Sequence, residues 1–490
     1  MNINKICALI FTISLMSQNA ASAADSVTMS LDKAVGLALQ NNRTITQYSE
    51  DREAAKWALS AARRSSGPRL SWNSTAGYIG GKFYRDRQNS YARYHFYYDD
   101  DDIMNYLGIS KIPPYHTETS NTFTLSMPLY TGGRLENQRE SAQYALNSAD
   151  LNLEYARQQV KYQAAEAYFQ VLQRGDTIKV QQEAVNYLQS HLDSVQIQYE
   201  VGAVAKADVL ATSVQLADYK RRLNSAWGDY ESAVAQLNNI IGLPVDTVLV
   251  TNEYMNQDPY DKTEDECLDY ALEHRPDGIA AMYDLKQANA AVGMAKADYR
   301  PQITAMARGA MTGEKFFESN HREEEWQIGL SLDWNIFDNG VTDANVNRAK
   351  ANERKVESQL MQQVDRIYLE VHNSYIALAT AEKNLKIAAD SVSQAEDSYE
   401  IAKVRYTEGV DTNLNVMDAQ TKLAEARNNY SSALYDYNVS KAKLDQVIGL
   451  PITLDAVRYV SALDEGKKVS KAVEESTVSD NNSQWFVFMD

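Results

Sequence analysis

Residues 326–340 read WQIGLSLDWNIFDNG. Trp326, Ile328, Leu330, Leu332, Trp334 and Ile336 fall on every second position, with Gln327, Gly329, Ser331, Asp333 and Asn335 between them. A period of two sends alternate side chains to opposite faces, so the stretch predicts a strand with one apolar and one polar face. Past Gly340 the period changes to that of a helix and stays so for a long way.

Sliding the chain against itself by 207 residues (332 − 125) finds the same grammar earlier. Leu332 falls on Leu125, Gly340 on Gly133, Tyr375 on Tyr168, Tyr406 on Tyr199, Gly409 on Gly202 and Val416 on Val209. The phrase IGLP at Ile241–Pro244 returns at Ile448–Pro451. Upstream the offset is 233 (301 − 68), where Ala271-Leu272 falls on Ala38-Leu39 and Pro301 on Pro68. The difference of 26 is an insertion between residues 79 and 118, the stretch containing YARYHFYYDDDD. A match this long is a duplicated domain, not a short-period solenoid. The expected organisation is a first repeat over 24–244, a second over 245–451, and a closing segment with a mobile tail over 452–490.

Each repeat has one order of parts. A short helix opens at Ser30 and again at Thr263, where Thr263 and Glu266 have the spacing of a capping box. Cys267 falls on Ala34 and reads as a small packing residue. Second helices, Thr44 to Ala62 and Gly278 to Ala297, end before Pro68 and Pro301. Strands are expected at about 69–79, 119–130, 302–311 and 326–337, and helical hairpins at about 133–243 and 341–450. Leu146, Ala149, Leu153, Ala156 and Val160, then Val185, Leu188, Leu192, Val195 and Tyr199, step by three and four, as do Val392, Ala395, Tyr399, Ala402 and Tyr406. That is a coiled-coil seam rich in small residues. Leu135 to Glu200 would form a helix about 100 Å long if unbroken, with Gly175-Asp176 the expected break. Gly202 and Gly409 mark the hairpin turns, and each IGLP marks where a returning helix stops.

The 490 residues carry a formal net charge of −18, which argues against nucleic acid as a partner. Lys5, the apolar run Ile6–Met16 and Ala21-Ser22-Ala23 read as a signal peptide over 1–23. Cys7 would leave with it and Cys267 would stand alone, so no disulfide framework is expected. Past the signal no apolar run reaches the roughly 20 residues of a spanning helix. Asp99–Asp102, flanked by His95 and His116, could hold a hard cation, but a solvated loop is the commoner meaning of a charge run. No metal-binding helix, phosphate loop or nucleophile elbow is present. No catalytic residue, cofactor or metal is assigned, and the chain is not expected to be an enzyme.

A soluble sheet with one buried face is the usual source of strict alternation. Strands of roughly 10 residues with aromatics near their ends also match the spanning strands of an outer-membrane barrel. Four strands cannot close such a barrel, and open edges in lipid leave backbone groups unpaired at several kcal/mol each. Three copies would supply twelve. The hairpins, much longer than the roughly 30 Å of hydrocarbon, would project into water.

The pieces PLYTGGRLENQ and NIFDNGVTDAN, the tips YEVGAVAKADVL and YTEGVDTNLNVMDAQ, the segment ALEHRPD and both IGLP ends resemble the TolC-like outer-membrane efflux and secretion channels. The resemblance covers nearly all of the chain past the signal. It implies a mainly α protein with a β-barrel share: a homotrimer whose four strands per protomer form a 12-stranded barrel in outer-membrane lipid, continuous with a coiled-coil tunnel across the periplasm of a Gram-negative-type cell. It also implies a passive duct recruited by a periplasmic adaptor and an inner-membrane pump of the RND or ABC type, opening at its periplasmic tip. Matching aperture positions are Asp208, Tyr406 and Asp418, with Asp411 and Asn415 standing where members carry a latch arginine and a ring aspartate. Adaptor-contact tips would be Val201, Gly202 and Ala203, and Glu408, Gly409 and Val410. The expected role of Asp418 is a cation-attracting ring, and of the Tyr406 and Asp208 positions a latch between neighbouring coils. The rival reading is a periplasmic coiled-coil adaptor or structural protein without a barrel.

Overall fold

The computed structural model describes residues 27–81, 115–251, 253–255, 257–313 and 323–460. The signal segment, the Asp99–Asp102 run and the C-terminal tail lie outside them. In chain order the elements are β1 (Val27–Met29), α1 (Leu31–Asn41), α2 (Arg43–Arg64), β2 (Arg69–Gly80), β3 (Tyr115–Tyr130), α3 (Arg134–Glu200), α4 (Lys206–Ile241), β4 (Leu249–Thr251), α5 (Glu264–His274), α6 (Pro276–Lys296), β5 (Gln302–Gly313), β6 (Glu323–Asp333), α7 (Val341–Thr407), α8 (Asn413–Val447) and α9 (Val457–Val460). They divide into two units: residues 55–146 with 284–357, and the remainder.

The first unit is built on an antiparallel sheet of order β2-β3-β5-β6. One rung sets Leu70, Leu125, Ala307 and Ile328 side by side, and the next on that face sets Trp72, Phe123, Gly309 and Trp326. The rung between them is Ser71, Thr124, Arg308 and Gln327. The alternation therefore becomes an apolar face and a polar face on one sheet. The apolar face is uncovered within the chain: Leu70, Trp326, Ile328 and Leu330 each expose 70% or more. β6 stops at Asp333 although the alternation runs on to Ile336. Asp333 pairs with Gln302, the first residue of β5, and Pro301 before it has no N–H to extend the ladder. The strands turn into helices at one end of the sheet. There Gly132 and Gly133 take φ +66° and +94°, and a Cβ on Gly132 would lie 2.6 Å from the Ala297 carbonyl. Only glycine fits such a bend.

α3 and α7 have 67 residues each, about 100 Å of helix, and the greater part of each belongs to the other unit. The expected break at Gly175 does not occur, and α3 runs through it unbroken. A lone glycine costs a helix only about 1 kcal/mol, and Asp176 pairs with Lys179 at 2.8 Å on the following turn. Leu188 and Val195 of the predicted seam are fully enclosed, and Val160, Ala164, Tyr168 and Val171 join Leu237, Ile241, Val371 and Leu444 in the main core. Ala165, Ala167, Ala233, Ala381 and Ala433 belong to the same core, so helix backbones can approach closely.

The IGLP helix ends follow from the same geometry in both repeats. Gly242 and Gly449 take φ +75° and +80°, and Leu243 and Leu450 donate backbone bonds back to Asn238 and Asp445 at 2.9 and 3.3 Å. A Cβ would lie 2.7 Å from the Asn41 Cβ at the first and 3.0 Å from the Arg275 Cα at the second. The carbonyls left over at each helix end are met by side chains. Asn41 and Asn42 donate to Ile241 and Ile240, and Arg275, which falls on Asn42 in the repeat, donates to Val447 at 3.3 Å. Arg275 is 2% exposed and also binds Asp277 in a bidentate fork and Glu370 at 2.7 Å. Burial pulls its pKa down, but the bonds and charges of those carboxylates more than offset this and hold it above its ordinary value. The segment after the second IGLP is held by buried Glu154, which accepts from the Ile452 and Thr453 N–H groups at 2.7 and 3.0 Å and from the Thr453 hydroxyl at 2.6 Å.

Candidate gating site at the hairpin tips

Each hairpin turns on one glycine. Gly202 and Gly409 take φ +77° and +73°, and Ala203 and Val410 donate to the Gln198 and Arg405 carbonyls at 2.8 and 2.9 Å. Nothing crowds either glycine, so backbone conformation alone requires it. Val201 and Val410 stand out at the turns, 75% and 66% exposed, and Leu414 joins them at 68%.

Behind the turns lies a polar cluster that the sequence pattern did not single out. Asn413, the first residue of α8, donates its amide hydrogens to Thr212 Oγ1 at 3.0 Å and to the Asp208 carbonyl at 3.3 Å, both on α4. Its Oδ1 thus faces His191 Nε2 on α3 at 2.6 Å, and the imidazole must be the donor. Thr212 donates in turn to the Asp208 carbonyl at 2.8 Å. The His191 ring stacks on Tyr187 and meets the Tyr406 ring of α7 edge-on, with centroids 5.9 and 5.3 Å apart. One buried imidazole therefore links helices from both hairpins. Its sequence signal is a polar residue on an apolar seam, between Leu188 and Val195. Further along, Arg427 of α8 spans Glu183 on α3 and Glu396 on α7.

The residues matched to the aperture take varied positions. Tyr406 donates its hydroxyl to Gln198 Oε1 at 3.0 Å, and Asp208 uses its carboxylate to accept the Ala205 N–H at the start of α4. Within the chain these two side chains are not bonded to each other. Burial, and secondarily the Asp208 charge, push the Tyr406 phenol above its ordinary pKa. Asp411 accepts from the Asn415 amide and the Thr412 N–H, with Arg405 at 3.5 Å, so the two departures from the family pattern are bonded to one another. These bonds, the Asn415 one foremost, lower the Asp411 pKa. Asp418 projects from α8 half exposed and pairs with Lys422 at 2.7 Å. Among the described residues no cluster of histidine, cysteine and acids could hold a metal ion, and no helix is long and apolar enough to cross a membrane.

Paired 100 Å helices and an uncovered two-faced sheet define a helical-tunnel protein that carries a share of a β-barrel. The chain belongs to the outer membrane efflux protein family, whose pattern matches residues 34–243 and 267–450. It is 26% identical to the probable efflux pump outer membrane protein TtgC of Pseudomonas putida over 60% of this chain and 58% of that one. To the alkaline protease secretion protein AprF of Pseudomonas aeruginosa it is 22% identical over 89% of both. The fold matches the outer membrane channel CmeC of Campylobacter jejuni with a TM-score of 0.70 at 18% identity, covering 89% of each chain.

Proposed function

We propose that the protein is a trimeric outer-membrane channel, the passive exit duct of a tripartite efflux pump or type I secretion system. The observation that carries this reading is the sheet. Among the described residues β2 and β6 are the edges, and the apolar face holds Leu70, Trp72, Trp326, Ile328, Leu330 and Leu332, all more than half exposed. In water that face would aggregate, and in lipid the open edges would leave backbone groups unpaired at several kcal/mol each. Edge-to-edge closure with two further copies removes both problems and gives twelve antiparallel strands, an even number in the range of such barrels. The apolar face also counts against a periplasmic adaptor, which would have no use for it.

The hairpin tips form the aperture and the adaptor-docking ends, opened by the adaptor and inner-membrane pump. Its relatives include both an efflux component and a protease-secretion component, so the cargo is set by the pump. His191 and Asn413 tie the hairpins of one protomer, and Asp418 lines the mouth. Because Lys422 pairs with Asp418, the attraction for cations is that of a partly neutralised ring. The test is reconstitution of the detergent-purified protein in a planar bilayer. A trimer with discrete conductance steps, its cation preference reduced in Asp418→Ala, is expected. A soluble monomer without conductance overturns the proposal.

A further inference from the structure

The polar face of the sheet has a charge order that the channel reading leaves unexplained. Its register can be followed rung by rung, rungs on one face being about 7 Å apart. Starting at the helix-bearing end, Asp333 stands opposite Gln302, and Thr304 with Ser331 follow. Arg69 then lies opposite Ser126, on the rung of Met306 and Gly329. Arg308 is on the next rung, flanked by Thr124 and Gln327. Beyond it come Glu325, opposite Ala310, and then Glu118, opposite Gly77. Among the described side chains of the four strands, the arginines are thus only two, both on the polar face and on adjoining rungs, Arg308 near the middle of β5 and Arg69 at the start of β2, with acids on either side.

Position gives the band its meaning. Arg308 is the seventh of the twelve residues of β5 and is exposed to solvent in the protomer. An arginine at that depth on a lipid face is strongly disfavoured, whereas a lumen face tolerates it. A neutral hydrogen-bonding residue would serve the ladder equally well, as Thr124 and Gln327 do on either side. What arginine adds is a fixed positive charge toward the water.

Resting on the reading of the sheet as one third of a closed barrel, we propose that Arg69 and Arg308 of three copies form a basic belt of six guanidinium groups around the lumen. It favours anions and acidic groups of cargo over cations at that level. Rings of one charge sign set selectivity in pores in this way. The nearest acid on the same face is Glu325, one rung outward and one strand over from Arg308, and it opposes the belt. The effect is strongest in dilute salt, where the screening length of about 30 Å at 0.01 M exceeds the rung spacing, and fades at 1 M, where it is about 3 Å.

The test is the reversal potential of the full-length reconstituted channel under a dilute potassium chloride gradient. Arg308→Gln and Arg69→Gln should each lower the chloride-to-potassium permeability ratio, by about two-fold or more together, and Glu325→Gln should raise it. All three shifts should vanish at 1 M salt. If Arg308 serves only as a structural partner of Glu325, both variants lose trimer stability to heat alike and leave the ratio unchanged, which overturns the belt. A wild-type chain that never conducts overturns the barrel reading and the belt with it. Conduction without opposed shifts overturns the belt alone.

Discussion

Arg275 shows how much one residue can decide. Its guanidinium is enclosed and faces two carboxylates and the end of α8. Removing one partner of a buried ionic cluster leaves the others desolvated, at about 3–5 kcal/mol. Arg275→Leu is therefore expected to lower the melting temperature of the protein markedly, followed by circular dichroism, while the sheet-face variant Gln327→Asn leaves it unchanged. Glu154 offers a pH-dependent counterpart. Burial alone would raise its pKa, but the bonds from Thr453 and Ile452 outweigh it and hold it below the ordinary 4.5. A group depressed in the folded state stabilises fully above its unfolded pKa and loses that contribution as pH falls through the folded value. Denaturation series should show Glu154→Gln less stable than wild type at pH 7, with the gap closing below about pH 4.5. A gap that stayed constant down to pH 3 would assign the anchoring to shape, not charge.

At the scale of elements, the hairpins and the sheet respond to different changes. His191→Ala leaves the Asn413 carbonyl without its donor, and a buried group so abandoned costs about 1–3 kcal/mol. The expected result is a tip that opens more readily, seen as higher open probability in single-channel records. Unchanged gating would mean the cluster serves packing alone. On the sheet, Ile328→Asp should block assembly and Gln327→Asp should not, because only the first puts a carboxylate in lipid; trimer yield on a non-dissociating gel reads this out. Most of this level was legible in the sequence. Alternation gave both sheet faces, the offset of 207 gave the matching hairpins, and the capping box at Thr263 and Glu266 forms as its spacing required. Gly175 misled because the penalty of one glycine is small beside the packing of a 67-residue helix. His191, Asn413 and Thr212 escaped because they stand 201 or more residues apart in two of their three pairings, and one sequence cannot show which polar groups on different helices will meet.

For the whole molecule, the sheet sets the terms. A chain that exposes an apolar strand face and two unpaired edges has no stable single-copy state in lipid. Sedimentation in detergent should give three times the mass of one chain, and conditions that separate the copies should unfold the sheet in the same step. A folded sheet persisting in isolated chains would contradict assembly by edge closure. The two units are expected to differ here, since the helical unit encloses its own core.

The paired helix ends carry one more consequence. The two repeats end on the same four letters but are fastened differently: amides at Asn41 and Asn42 in one, an ionised guanidinium in the other, with Glu154 anchoring only the second because its counterpart 207 positions on is Met361. In the proposed trimer, two near-equivalent halves per subunit would make a ring of sixfold likeness but only threefold truth. Acid would weaken alternate sectors of that ring and spare the ones between, so any dilation it provokes should begin with a triangular outline, not a round one.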